Sequence, residues 1–191
     1  MNLPNKLTVV RMIATPIFMF AMVANFKGHF FVALVLFALA SFTDMLDGKI
    51  ARKHNLVTNF GKFLDPLADK MLTTSAFLGL LAANYCKGIV WIVFIVLFRE
   101  FTITSLRLVC AGGSVVIAAN IWGKAKTVSQ MVAIIAVLAA ESLKSVATLP
   151  ETALSVIHIA LTVLLWISAA LTVISGVIYL WQNRAAIDPT K

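Results

Sequence analysis

The chain is short of charge and nearly without cysteine. Only 13% of its 191 residues are charged, and just eight are acidic, whereas an ordinary soluble domain is about 25% charged. That balance excludes a soluble globular domain and a disordered chain, since both need polar residues to meet water. The two cysteines, Cys86 and Cys110, stand apart with no CxxC spacing. They exclude a disulfide-stapled secreted module and a thiolate zinc cluster, and read as small core hydrophobes. No low-complexity tract or internal repeat is evident, and no cleavage site follows a short apolar core, so the first apolar stretch is expected to be retained. What is abundant is apolar surface: 61% of the residues are hydrophobic, enough for six bilayer spans of roughly 20 residues with little left for loops. The net charge of +8 is therefore no sign of nucleic acid, because in a membrane protein the placement of Lys and Arg matters more than their sum.

The apolar stretches cover residues 9–26, 30–43 (continuing into a polar end at 44–52), 60–85, 88–109, 122 to just before Glu141, and 154–181. This pattern predicts one domain over residues 1–191, an all-α integral membrane protein with six transmembrane helices and a short amphipathic N-terminal helix. Of the 16 lysines and arginines, only Lys27, Lys87 and Lys144 fall on the side opposite the termini. The positive-inside rule then puts both termini in the cytoplasm. Trp91, Trp122 and Trp181 lie near span ends, as interface anchors do.

Four of the eight acids fall between Asp44 and Asp69. Asp44 and Asp47 are three apart and Asp65 and Asp69 four apart, so each pair shares a helix face. A short connection makes the two helices antiparallel neighbours, with both pairs at the cytoplasmic end. Four facing carboxylates repel unless something positive sits among them. Hard divalent cations on oxygen ligands, magnesium above all, answer that need, and a paired metal site suits phosphoryl transfer. A cation or proton relay would instead place acids at several bilayer depths, and spans one, five and six carry none within them.

The run Asp44-Met-Leu-Asp47-Gly48-Lys-Ile-Ala51-Arg52, eight further residues, then Gly61-Lys-Phe-Leu-Asp65-Pro-Leu-Ala-Asp69, resembles the signature of the CDP-alcohol phosphatidyltransferases. All eight signature positions are filled. The resemblance implies that Asp44, Asp47, Asp65 and Asp69 hold two divalent ions, Mg2+ or Mn2+, on the diphosphate of a CDP-linked lipid. It makes Asp69 also the general base for the attacking hydroxyl. Gly48 and Ala51 would let the nucleotide lie against the helix backbone, Arg52 would pair with the diphosphate, Gly61 would allow close approach, and Thr58 would lie near the nucleotide.

Three further regions bear on the acceptor. The opening Asn2-Leu-Pro4-Asn5-Lys-Leu-Thr8-Val-Val-Arg11 starts with a proline suited to a helix N-terminus. It places Asn5, Thr8 and Arg11 on one face, as candidate contacts to the CDP-lipid. Arg99 to Arg107, and Lys124 with Lys126, supply cations on spans four and five. Together with the opening, these regions are similar to bacterial phosphatidylglycerophosphate synthases. Arg99, Arg107, Lys124 and Lys126 suit the phosphate of an acceptor, Arg as a planar fork and Lys as a point charge. The resemblance implies CDP-diacylglycerol and glycerol 3-phosphate as substrates and a homodimer; the short chain without organelle signals points to a bacterial cytoplasmic membrane, and the charge count puts the site at its cytoplasmic face. Inositol phosphate is the rival acceptor. A prenyltransferase with aspartate motifs and an ion-coupled transporter are more remote rivals.

Overall fold

The computed structural model describes residues 2–53, 59–112 and 121–184. Those residues form six helices and no strand: α1 (Leu3–Val23), α2 (His29–Lys53), α3 (Asn59–Ala82), α4 (Ile89–Gly112), α5 (Ile121–Lys144) and α6 (Glu151–Gln182). The six apolar stretches thus become six helices in the expected order. Four are long and apolar enough to cross a bilayer: Asn5–Val23, Ile89–Arg107, Ile121–Lys144 and Glu151–Gln182. The apolar stretches found among the described residues of α2 and α3, His29–Asp44 and Lys70–Ala82, are shorter. This is a membrane protein.

One expectation is corrected at the N-terminus. The opening run is not a separate short amphipathic helix; it forms the first turns of α1, which continues to Val23 through Pro16. The reason lies in how α1 is sided. Asn5, Thr8, Arg11, Thr15, Phe18 and Met22 are buried, while Val10, Ile13, Ile17 and Phe20 are exposed. The inner face is polar from Asn5 to Thr15 and apolar from Phe18 on, while the outer face is largely apolar, which is stable when that outer face meets lipid rather than water. Nothing breaks the 3.6-residue register between the two segments, so one helix carries both.

The chain divides into two compact units. The first takes in α1–α3 and Ile134–Leu154; the second takes in Cys86–Ala133 and Ser155–Lys191. In the first unit α1 packs against both α2 and α3. Phe18 and Phe37 meet there with ring centroids 5.6 Å apart. Gly79 lets α3 come close to α1, because a Cβ at that position would lie 2.7 Å from Met22 Cε and 2.8 Å from Met22 Cβ. Gly79→Ala is therefore expected to destabilise by about 1–3 kcal/mol through overpacking. Thermal unfolding of the purified protein in detergent should show a midpoint lower by several degrees, and an unchanged midpoint would contradict this packing.

In the second unit Gly88 immediately precedes α4 with φ +84, a conformation open to glycine and strained for other residues. A Cβ there would also approach Trp166 Cζ2 to 2.9 Å. The buried face of α6 is built from small and hydroxyl residues, among them Ser168, Ala169, Thr172, Ser175 and Gly176. Their hydroxyls are satisfied locally: Ser168 donates to the Leu165 carbonyl, Thr172 to that of Ser168 and Ser175 to that of Thr172. Gln130 of α5 donates to the Thr172 hydroxyl at 2.9 Å. Small residues and hydrogen bonds of this kind hold helices together where no hydrophobic effect operates. Cys86, buried in the turn before α4, behaves as the small core residue expected, since burial pushes its thiol up and keeps it neutral, against a weaker opposing influence of the nearby Thr162 hydroxyl.

Candidate functional site

Helix α2 does not stop where its apolar stretch ends. It continues through Asp44 to Lys53, and α3 begins at Asn59. Positions 44, 47, 48 and 51 consequently fall on one stripe of α2, at about 100° per residue, and 61, 65 and 69 on one stripe of α3. Asp44 is the member of the signature whose side chain lies within the described residues. The side chains of Asp47, Gly48, Ala51, Arg52, Gly61, Asp65 and Asp69 lie outside them, as do Thr58 and His54 altogether.

Asp44 links the signature to the N-terminal run. Arg11 Nη1 donates to Asp44 Oδ1. The arginine side chain is 1% exposed and that of Asp44 43%, so a buried guanidinium meets a half-open carboxylate. Thr15 donates to the Arg11 carbonyl at 2.9 Å. A buried charge needs a partner, and here the pairing joins α1 to α2. The three N-terminal candidates Asn5, Thr8 and Arg11 are all buried on one face of α1, as their three-residue spacing predicts. Sequence spacing gave no hint of the Arg11–Asp44 pair, because the partners are 33 residues apart.

The signature positions offer only carboxylate oxygens as donors, with no thiolate or imidazole, which is the donor chemistry of a hard divalent cation. Asp44 keeps surface open to a further ligand although Arg11 already holds one of its oxygens. By residue type the signature suits such an ion, although Asp44 is the one of its four carboxylates whose side chain is described, and no cluster of three metal-ligating side chains occurs among the described residues.

The four candidate cations belong to the second unit, and the structure separates them by environment. Glu100 of α4 accepts from Lys126 Nζ of α5 and, at 3.2 Å, from Arg99 Nη1. Lys126 is 5% exposed. Arg99 is mostly buried, its stem lying where a Cβ on Gly176 would come within 3.2 Å of Arg99 Cγ. Arg107 and Lys124 are exposed, and no described carboxylate pairs with either. Arg107 Nε donates to the Tyr179 hydroxyl at 2.9 Å, and its guanidinium carbon lies 5.3 Å from the centre of that ring. The structure brings Arg99, Lys126 and Glu100 together, and it joins Arg107 to Tyr179 about two turns further along α4; excess positive charge of this kind is what an anion site requires. Tyr179 is a residue that sequence reasoning passed over. Glu100 was visible only as the neighbour of Arg99, and its reach to Lys126 depends on how α4 and α5 pack.

The family profile of CDP-alcohol phosphatidyltransferase matches residues 1–178. The chain belongs to this family. Relatives match along nearly its whole length. A Bacillus subtilis protein named CDP-diacylglycerol–glycerol-3-phosphate 3-phosphatidyltransferase is 41% identical, covering 100% of this chain and 99% of that one. A Rickettsia bellii protein of the same name is 37% identical over 93% of each chain. A Mycobacterium tuberculosis protein named probable phosphatidylglycerophosphate synthase is 36% identical over 93% of this chain and 79% of its own. Within this phosphatidyltransferase, all eight positions of the spaced signature lie on α2 and α3, and the family match takes in residues of both compact units.

Proposed function

We propose that the protein transfers the phosphatidyl group of CDP-diacylglycerol to glycerol 3-phosphate, giving phosphatidylglycerophosphate and CMP. The observation that carries this reading is the whole-length similarity, at 41% identity, to a relative named for that reaction, in a chain that fills every signature position. In the reaction the glycerol hydroxyl oxygen bonds to the phosphorus that carries diacylglycerol. The bond from that phosphorus to the oxygen bridging to CMP breaks, and CMP leaves with the electron pair.

Asp44, Asp47, Asp65 and Asp69 would hold the metal, magnesium or manganese and two ions. When bound it neutralises the diphosphate and makes CMP a competent leaving group. Asp69 takes the proton of the attacking hydroxyl. Asn5, Thr8, Arg11, Gly48, Ala51, Arg52, Thr58 and Gly61 bind the CDP-lipid. Its diphosphate would compete with Asp44 for the buried guanidinium of Arg11, so Arg11 can serve the carboxylate and the substrate in turn. Arg107 and Lys124 meet the acceptor's phosphate directly. Lys126 and Arg99, tied to Glu100, supply the positive field behind them.

The placement of 13 of the 16 lysines and arginines supports six spans, with both termini and the chemistry at the cytoplasmic face of a bacterial inner membrane. The family resemblance adds a single working domain over residues 1–191 and a homodimer.

CMP release from CDP-diacylglycerol by the purified protein tests the reading. Release is expected only when both glycerol 3-phosphate and magnesium are present. A chelator should stop it, and added magnesium should restore it. Release with inositol phosphate but not glycerol 3-phosphate would overturn the acceptor and keep the transfer chemistry. Release of pyrophosphate, or none with any acceptor, would overturn the reaction class.

A further inference from the structure

Helix α6 carries no signature residue, yet its buried face seats both arginines of α4. Gly176 clears the space along which the Arg99 stem lies. One turn further on, Tyr179 is 3% exposed, and its hydroxyl accepts from Arg107 Nε at 2.9 Å. The same ring lies 5.3 Å from the Arg107 guanidinium carbon, within range of a cation–π contact. Arg107 itself is exposed, and a long exposed arginine ordinarily samples many rotamers. Here it is held at two points by a ring that burial prevents from swinging away. Asn183 closes the same turn, donating to the Tyr179 carbonyl at 2.7 Å.

The hold also selects which edge of the guanidinium is offered. A guanidinium can grip two oxygens side-on, through Nε and one Nη, or end-on, through both Nη groups. Tyr179 occupies Nε, so the end-on fork remains for an outside ligand. A phosphate monoester presents oxygens spaced to accept both of those donors.

We propose that Tyr179 is a positioning residue for the acceptor: it fixes Arg107 so that both terminal amino groups face the acceptor's phosphate. The inference rests on the reading that Arg107 binds that phosphate, and it adds a specificity role for a helix without sequence motifs. It predicts that affinity for a phosphorylated alcohol depends on a hydroxyl that never touches the ligand.

The test is CMP release by the full-length protein in mixed micelles, with KM measured separately for each substrate. Tyr179→Phe keeps the ring and removes the acceptor. It should raise the KM for glycerol 3-phosphate about 5- to 20-fold, at or below the low end of what a hydrogen bond to a charged group contributes because Arg107 is exposed, while kcat and the KM for CDP-diacylglycerol stay within about twofold. Arg107→Ala should raise the same KM further, and adding Tyr179→Phe to Arg107→Ala should change nothing more, because the residue it positions is gone. Equal fold-effects of Tyr179→Phe with and without Arg107 would overturn the proposal, as would an unchanged KM in Tyr179→Phe while Arg107→Ala raises it. A general fall in thermal stability with both KM values rising together would make Tyr179 merely structural. An unchanged KM in Arg107→Ala would instead remove the phosphate role of Arg107, and the proposal with it.

Discussion

Asp69→Asn is expected to lower CMP release by at least about 10³-fold while the purified protein still retains CDP-diacylglycerol. Asparagine has nearly the volume and shape of aspartate, so packing is conserved and the loss is chemical. A positioned general base contributes roughly 10²–10⁴ in rate, and an amide oxygen is also a weaker ligand than a carboxylate for a hard cation. The contrast with Asp44→Asn sharpens the experiment. That substitution also takes a charged partner from Arg11, whose side chain is 1% exposed. Breaking a buried pair on one side costs about 3–5 kcal/mol, a figure reduced here by the openness of Asp44 itself. Asp44→Asn should accordingly lower the unfolding midpoint as well as activity, whereas Asp69→Asn should mainly lower activity. Undiminished CMP release by Asp69→Asn would remove its assignment as the base.

The second large effect concerns Lys126. With Arg99 and Glu100 it forms a group of net charge +1 whose carboxylate is shared by two cations. Lys126→Ala takes away one of these two cations, so a phosphate approaching this end of the unit meets a less compensated carboxylate. The KM for glycerol 3-phosphate should rise by about 10²-fold, more than the loss of a single exposed contact would give. Lys126→Ala combined with Glu100→Gln restores the net charge of the group and should recover part of that loss, to within about 10-fold of the parent. Kinetics of the two single variants and the double variant decide this. A double variant worse than Lys126→Ala would mean that Glu100 acts on its own, and an unchanged KM in Lys126→Ala would place the phosphate elsewhere. Lys126 is buried, so it shapes a field rather than acting as a mobile surface charge.

Composition and periodicity by themselves determine the class of the protein. A chain with 13% charge and 61% hydrophobic residues can satisfy its backbone in a bilayer only by forming helices or a closed barrel, and long unbroken apolar stretches choose helices. Order and approximate length of the six helices follow, as do the candidate metal ligands. Carboxylates three or four residues apart on apolar helices have little use besides charge chemistry. The common face of Asn5, Thr8 and Arg11 was legible for the same reason, since helical register is local.

What the tertiary structure alone decided is which charged and polar groups meet. Arg11 finds Asp44 across 33 positions, Lys126 finds Glu100 across 26 and Arg107 finds Tyr179 across 72. None of these pairings has a period, because each depends on how two separate helices rotate and slide against one another. The continuation of the N-terminal run into α1 was hidden likewise. A stripe of polar residues reads as a surface helix until the structure shows that its polar side is the inside. In a bilayer the solvent is outside and apolar, so the inward face collects the polar groups, and the partners that satisfy them come from distant sequence.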